Sequence, residues 1–255
     1  MLRTNSIKRK LSEQSCVFGT FCGIASASVI EILGLAGFDF AVIDREHGSF
    51  SLPETENLIP AAASTGISPL VRVANVDPTS VRLPLDMGAA GIHVPQIESA
   101  AMAEAVVRAA LFHPRGERGL HPAVRNASYG MQPLPEYLSE KNEDTCLVLH
   151  LEGHSALQQL DQILAVEGYD VLFIGPYDLS HSLGIPGEVN HPLVKEAMHR
   201  IVEAARRAGK HSGTYCGTAE AAAEWREAGV TYLAVSMDSS LLLSAARSLV
   251  TVLRR

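Results

Sequence analysis

Two segments run from an apolar stretch straight into a carboxylate: CLVLHLEG reaches Glu152 and DVLFIGPYDLS reaches Asp178. If both stretches are neighbouring strands, their carboxylates meet at one end of a sheet. Two acids completed by water suit a hard divalent cation such as Mg2+, Mn2+ or Co2+. Each acid read alone is equally a loop residue or a helix N-cap, as Asp178 before LSHSLG. A third segment, PLVRVAN, sets Arg72 among apolar residues. An arginine turned inward needs an anion, either a substrate carboxylate or enolate oxygen or a structural partner in Asp44 or Glu46. Those two acids close the run FDFAVIDREHG, where His47 follows as a group able to move protons near neutral pH. Asp44 is near enough in sequence to orient it, although a lone histidine is more often structural.

Lysine usage narrows the chemistry. Lys8, Lys10, Lys141, Lys195 and Lys210 all fall outside the apolar runs, whereas a Schiff-base mechanism wants a desolvated lysine. Carbonyl chemistry would then depend on a metal as Lewis acid. There is no GxSxG, GxGxxG or GxxxxGK[ST], so neither a nucleophile elbow nor a standard phosphate loop is offered.

Such scattered groups need a scaffold that gathers them. Short β-leaning runs recur at about 16–22, 38–44, 69–74, 90–94, 145–151, 170–175, 211–215 and 231–236, with amphipathic helical stretches between them. Eight such units in 255 residues fit an α/β (β/α)8 TIM barrel better than a doubly wound sheet. Residues 1–15 read as a flexible lead-in and 16–255 as a single barrel domain. Residues 113–144 break the rhythm and read as a functional insertion. In a barrel, catalytic groups stand at the C-terminal ends of strands, where Asp44, Arg72, Glu152 and Asp178 would fall.

With 47% hydrophobic and 19% charged residues, the chain has an ordinary globular composition. Its 21 basic residues against 28 acidic ones, a net charge of −7, give no reason to expect nucleic acid or an acidic membrane as partner. No apolar stretch is long enough to span a bilayer, and the N-terminus does not read as a secretory signal. Cys16, Cys22, Cys146 and Cys216 form no CxxC pair and read as reduced cytoplasmic thiols.

Taken together, GFDFAVIDREHGSFS, PLVRVANVDP, LDMGAAGIHVPQIESAAMAEAVV, PRGERG, LHLEG and VEGYDVLFIGPYDLSHSLG resemble, in order and spacing, the class II pyruvate aldolases of the HpcH/HpaI family. The likeness runs from about residue 17 to residue 250. It implies a homo-oligomeric barrel with C-terminal helices exchanged between subunits, dimer-based and often a trimer of dimers, that is, a hexamer. It also implies cleavage of hydroxy-keto acids to pyruvate and an aldehyde.

By this resemblance Glu152 and Asp178 match the metal carboxylates, and Arg72 the residue on the keto or enolate oxygen. His47 matches the proton-transfer histidine, with Asp44 beside it, and Asp86 matches an aspartate that reaches a neighbouring subunit's site. The backbone at Gly175, Pro176 and Tyr177 would hold the substrate carboxylate. Two positions depart from many relatives. His150 replaces a glutamine and is expected to change hydrogen bonding to the keto acid, and Tyr177 replaces a small residue. Branches of the family that condense oxaloacetate with an acetyl thioester to citrate for siderophore assembly therefore stand as an alternative, with an acyl partner in place of the aldehyde. A non-catalytic keto-acid-binding protein is the lesser one.

Overall fold

The computed structural model of the chain describes residues 6–13 and 15–254. Eight parallel strands form a closed barrel in sequence order: β1 (Val17–Cys22), β2 (Phe40–Asp44), β3 (Ser68–Arg72), β4 (Gly91–Val94), β5 (Cys146–Leu151), β6 (Val171–Ile174), β7 (His211–Cys216) and β8 (Tyr232–Met237). β8 pairs back onto β1, so no edge is left open. The expected runs match these strands to within two residues at either end.

The runs look continuously apolar because both faces of each strand are covered. Val17, Phe21, Phe40, Val42, Leu70, Val148, Phe173 and Tyr232 fill the interior. Alternate residues such as Ile92, Leu147, Leu149, Leu172 and Leu233 face the surrounding helices. The same period of two turns Asp44, Arg72, His93 and His150 inward. Cross-strand register sets Asp44 opposite Arg72 and Arg72 opposite His93.

The helices are α1 (Ser6–Ser12), α2 (Ala27–Leu35), α3 (Leu52–Thr65), α4 (Pro78–Asp86), α5 (Ala100–Ala110), α6 (Leu134–Asp144), α7 (His154–Gln158), α8 (Leu160–Leu164), α9 (Pro176–Ser182), α10 (Pro192–Arg207), α11 (Ala219–Glu227) and α12 (Asp238–Leu253). Their starts are chemically marked. At α3, Ser51 accepts the Glu54 N–H while Glu54 accepts the Ser51 N–H, a complete capping box.

The segment read as a flexible lead-in differs from that expectation where it is described; residues 1–5 and 14 lie outside the described residues. Its middle is α1, whose Ile7 and Leu11 are buried in the interior cluster. Their i, i+4 spacing puts both on one face. Lys8 pairs with Asp170 at 3.0 Å and Lys10 with Asp39, which fastens the helix across the N-terminal end of the barrel.

Residues 111–133 and α6 follow α5 and precede β5, so they also lie toward that N-terminal end, away from the mouth. Here Asp86, five residues before β4, accepts from Arg82 at 2.7 Å and from Arg118 at 2.6 Å.

α12 contrasts with the other long helices. Among its residues only Asp238 is buried, and Leu242, Leu243, Leu249, Val252 and Leu253 are exposed. The Asp238 carboxylate accepts the N–H groups of Gly23, Ile24 and Ser239, which ties the first turn of the helix to the end of β1. No helix among the described residues is long and apolar enough to cross a membrane.

Candidate active site

At the C-terminal end of β2 and β3, Arg72 donates from Nε to Asp44 Oδ1 at 2.8 Å and from Nη2 to Asp44 Oδ2 at 2.6 Å. Burial works to raise the Asp44 carboxyl. The Arg72 bonds and charge, with the N–H groups of His47 and Glu46, outweigh it and hold the carboxyl below its usual range. Arg72 is held in place by the face of Phe21, 4.7 Å from the ring centroid. Its Nη1 lies 3.1 Å from Glu46 Oε2 but off hydrogen-bond alignment, so that oxygen is buried without a hydrogen-bond partner. The structural ion pair weighed from sequence is therefore present. A guanidinium has five N–H donors, which leaves donors to spare for a ligand oxygen.

Glu46, Gln96 and Glu152 connect this pair to the next strands. Gln96 has a left-handed backbone, with φ 56°. Its N–H donates to Glu152 Oε2 at 3.1 Å, and its side-chain amide donates to Glu46 Oε1 at 3.2 Å. Burial raises the Glu46 carboxyl, with Glu152 adding to the rise against Arg72. Burial also acts to raise Glu152, but His150, the Gln96 N–H and Arg72 prevail and hold it below its ordinary value. Two carboxyls in one mouth are thus pushed in opposite directions by their surroundings.

His47 is two-thirds exposed at its side chain. Asp44 Oδ1 accepts its backbone N–H at 3.3 Å, while its ring Nε2 lies 3.9 Å from Glu46 Oε2. Asp44 thus fixes the loop that carries His47, and the carboxylate beside the ring is Glu46. This corrects the expectation that Asp44 orients the imidazole.

His150 is also corrected. Its side chain is almost fully buried, with Nδ1 2.8 Å from Glu152 Oε1 and Nε2 2.9 Å from His93 Nδ1. Both ring nitrogens are committed, so His150 has no polar atom left for a direct bond to a keto acid and reaches a ligand only through Glu152. Asp86 lies in the Arg82–Arg118 cluster at the other end of the barrel and is not brought to the Asp44–Arg72 cluster of its own chain.

Glu152 lies directly on the backbone of Gly175. A Cβ at that position would come within 2.8 Å of Glu152 Cγ and 2.9 Å of Oε1. Three residues on, Asp178 is exposed in the first turn of α9. Oxygen donors of this kind suit a hard cation that keeps several waters: the buried Glu152 carboxylate, set against a glycine backbone where a Cβ would not fit, with the exposed Asp178 three residues along. Among the described residues no group of three His, Cys, Asp or Glu side chains gathers as a complete protein cage. Pro176 has no N–H, and the first intrahelical donor of α9 is Leu179, bonded to the Gly175 carbonyl. The N–H groups of Tyr177 and Asp178 precede it and have no partner within the helix. The Tyr177 side chain is exposed, its ring 6.0 Å from that of Tyr215.

Sequence reading did not single out His93 or Tyr232, and it weighed Glu46 only as an ion-pair partner. Inward alternation along β4 and β8 was the available signal for His93 and Tyr232. Gln96 was marked only as a polar residue closing the fourth apolar run; its left-handed backbone, which turns its N–H to Glu152, was not legible there.

Fold and cluster together define a (β/α)8 barrel protein with a buried acid–arginine centre at the C-terminal mouth. The chain belongs to the HpcH/HpaI aldolase/citrate lyase family, whose pattern matches residues 17–245. A hydroxypyruvate/pyruvate aldolase of Roseobacter denitrificans is 36% identical over 248 residues, covering 96% of this chain and 95% of the relative. A 4-hydroxy-2-oxo-heptane-1,7-dioate aldolase of Shigella sonnei is 35% identical, covering 96% and 93%. A family protein from Burkholderia cenocepacia J2315 superposes with a TM-score of 0.94 at 34% identity, covering 99% and 100%. The citrate synthase SbnG superposes at 0.88 and 31%, covering 98% of each chain.

Proposed function

We propose that this protein is a class II aldolase, a metal-dependent carbon–carbon lyase that cleaves or forms 4-hydroxy-2-oxo acids through a pyruvate enolate. The observation that carries the reading is the bidentate Asp44–Arg72 pair beside Glu152, in a mouth that no lysine reaches. Lys8 and Lys210 bond Thr145 and Tyr169 carbonyls near the N-terminal end of the strands, Lys10 pairs with Asp39 there, and Lys141 and Lys195 lie on helices.

Glu152 and Asp178 would hold the divalent cation, Mg2+, Mn2+ or Co2+, which supplies Lewis acidity toward the keto oxygen when bound. The remaining steps belong to the chain. The substrate carboxylate rests on the Tyr177 and Asp178 N–H groups, beyond Gly175 and Pro176. Arg72 turns its spare N–H groups to the keto oxygen. His47 takes the proton of the C4 hydroxyl, the C3–C4 bond breaks, and its electron pair moves onto the keto oxygen as an enolate that Arg72 stabilises. The aldehyde leaves, and the proton held by His47 returns to C3 to give pyruvate. Condensation runs the same path backwards.

The assembly belongs to this proposal. An apolar α12 buried only at its first residue needs a cover, and a second copy of the chain exchanging the same helix supplies one in a dimer-based assembly such as a hexamer. Asp86, at the far end of its own barrel, would then serve a neighbouring subunit's site. The free cysteines agree with a cytoplasmic setting.

The likeness to SbnG and the exchange of glutamine for His150 favour one second reading, condensation of oxaloacetate with acetyl-coenzyme A. Oxaloacetate supplied to the metal-loaded protein with and without acetyl-coenzyme A separates the two. Pyruvate formed without the thioester supports the aldolase. Thiol release that needs both substrates makes the protein citrate-forming, and binding without turnover leaves a keto-acid-binding protein.

A further inference from the structure

Behind Glu152 the barrel contains a hydrogen-bonded chain that the proposed mechanism does not use. Glu152 Oε1 meets His150 Nδ1 at 2.8 Å, His150 Nε2 meets His93 Nδ1 at 2.9 Å, and His93 Nε2 meets Tyr232 Oη at 2.8 Å. His93 and Tyr232 are fully buried and His150 nearly so. The three side chains come from β4, β5 and β8, so the chain crosses the barrel interior. We propose that His93 and Tyr232 are positioning residues that lock His150 with its proton on Nδ1, and so fix the Glu152 carboxylate in its cation-binding orientation. This rests on the reading of Glu152 as a metal ligand.

The direction of each bond follows from the inventory of donors. A carboxylate only accepts, so His150 Nδ1 must carry a proton. In the arrangement with one proton on each ring, His150 Nε2 accepts from His93 Nδ1, and His93 Nε2 accepts from the Tyr232 hydroxyl. Full burial is the main cause that pushes His93 well below the usual histidine range, so that ring stays neutral and has one donor and one acceptor. Tyr232 completes the chain because burial pushes its phenol up and keeps the proton on it.

The surrounding packing holds the rings where these bonds require them. Phe173 stacks on His150 at 4.6 Å, and Phe40 stacks on Tyr232 at 4.2 Å. Gly213 and Gly19 leave the space. A Cβ at Gly213 would sit 2.9 Å from the Phe173 ring and 3.0 Å from that of Tyr232, and one at Gly19 would overlap Phe40. Glu152 is thereby fixed at both oxygens, Oε1 by this chain and Oε2 by the Gln96 N–H. Groups behind a metal ligand that set its orientation are worth roughly 10- to 100-fold in affinity.

The test is Mn2+ titration by equilibrium binding, together with the 15N shifts of the histidine side chains by NMR. H93L should weaken Mn2+ binding at least about tenfold and abolish the single Nδ1–H tautomer of His150. H93Q, whose amide both donates and accepts, should restore most of the affinity. Y232F keeps the stacked ring and should move both readouts in the same direction, which preserves the test should H93L fail to fold. Unchanged Mn2+ affinity and an unchanged His150 tautomer in folded H93L or Y232F would overturn the proposal. E152Q is the control on its foundation. If E152Q binds Mn2+ as well as the parent, the metal reading fails and this inference with it. If E152Q loses Mn2+ while H93L and Y232F do not, only the inference falls.

Discussion

Arg72 grips Asp44 through two nitrogens, Nε and Nη2, at 2.8 and 2.6 Å. That fork aims the guanidinium as well as pairing its charge, and a lysine ammonium cannot reproduce it. R72K should therefore lose about 10²- to 10³-fold in kcat/KM for retro-aldol cleavage, the scale of one misplaced oxyanion donor. Steady-state kinetics beside circular dichroism checks this, and near-parental activity in folded R72K would show that the fork is only structural.

Three carboxyls of the mouth, Asp44, Glu46 and Glu152, make opposite contributions to stability with pH. Asp44 and Glu152 are held below their ordinary values. Their stabilisation is complete above the unfolded carboxylate value of about 4 and is lost as pH falls through the lower folded values. Glu46 is raised, so its ionisation costs stability, and that cost appears as pH climbs from about 4 through its folded value. E46Q should be more stable than the parent at pH 7 and lose that advantage at pH 4. Urea midpoints at the two pH values decide it, and a less stable E46Q at pH 7 would contradict the sign.

Gly175 and Glu152 occupy space that cannot hold one more carbon, the nearest approach of an added Cβ being 2.8 Å. G175A should cost about 1–3 kcal/mol by overpacking and displace the carboxylate. Its Mn2+ affinity should fall further than its stability alone explains. Thermal melts with and without Mn2+ measure both, and an unchanged metal-dependent shift in melting temperature would count against the cradle.

His47 is two-thirds exposed, and its ring nitrogen stands 3.9 Å from Glu46 Oε2. H47Q should leave stability within about 0.5 kcal/mol and lower kcat by about 10²- to 10⁴-fold, as expected for loss of a general acid–base group. Mn2+ affinity should not change. If kcat survives, proton transfer lies elsewhere.

The exposed leucines of α12 carry the assembly claim. L242E combined with L249E should reduce the mass in analytical ultracentrifugation from an even multiple of the chain to the single chain. A parent that sediments as a monomer would refute the exchange.

Much of this was legible in the sequence, for physical reasons. Strands buried on both faces leave apolar runs that a reader can count, and Arg72 stood out because its neighbours are apolar. α1 was not legible, because its contribution is two apolar residues, Ile7 and Leu11, in an otherwise polar segment. His150 could be seen as a departure, but its partner His93 lies 57 residues away and meets it only through barrel closure. The neighbouring carboxylate of His47 was assigned by sequence distance to Asp44, whereas the turn after β2 spends Asp44 on backbone N–H groups and leaves Glu46 beside the ring.

The central claim is a pyruvate enolate formed with Arg72 and a cation at Glu152. Its most direct measurement is exchange of the pyruvate C3 protons for deuterium, followed by 1H NMR without any aldehyde present. Exchange should appear with Mg2+, Mn2+ or Co2+ and disappear with excess chelator and in E152Q. Exchange that persists in both, or none with any cation while acetyl-coenzyme A and oxaloacetate release thiol, would contradict it.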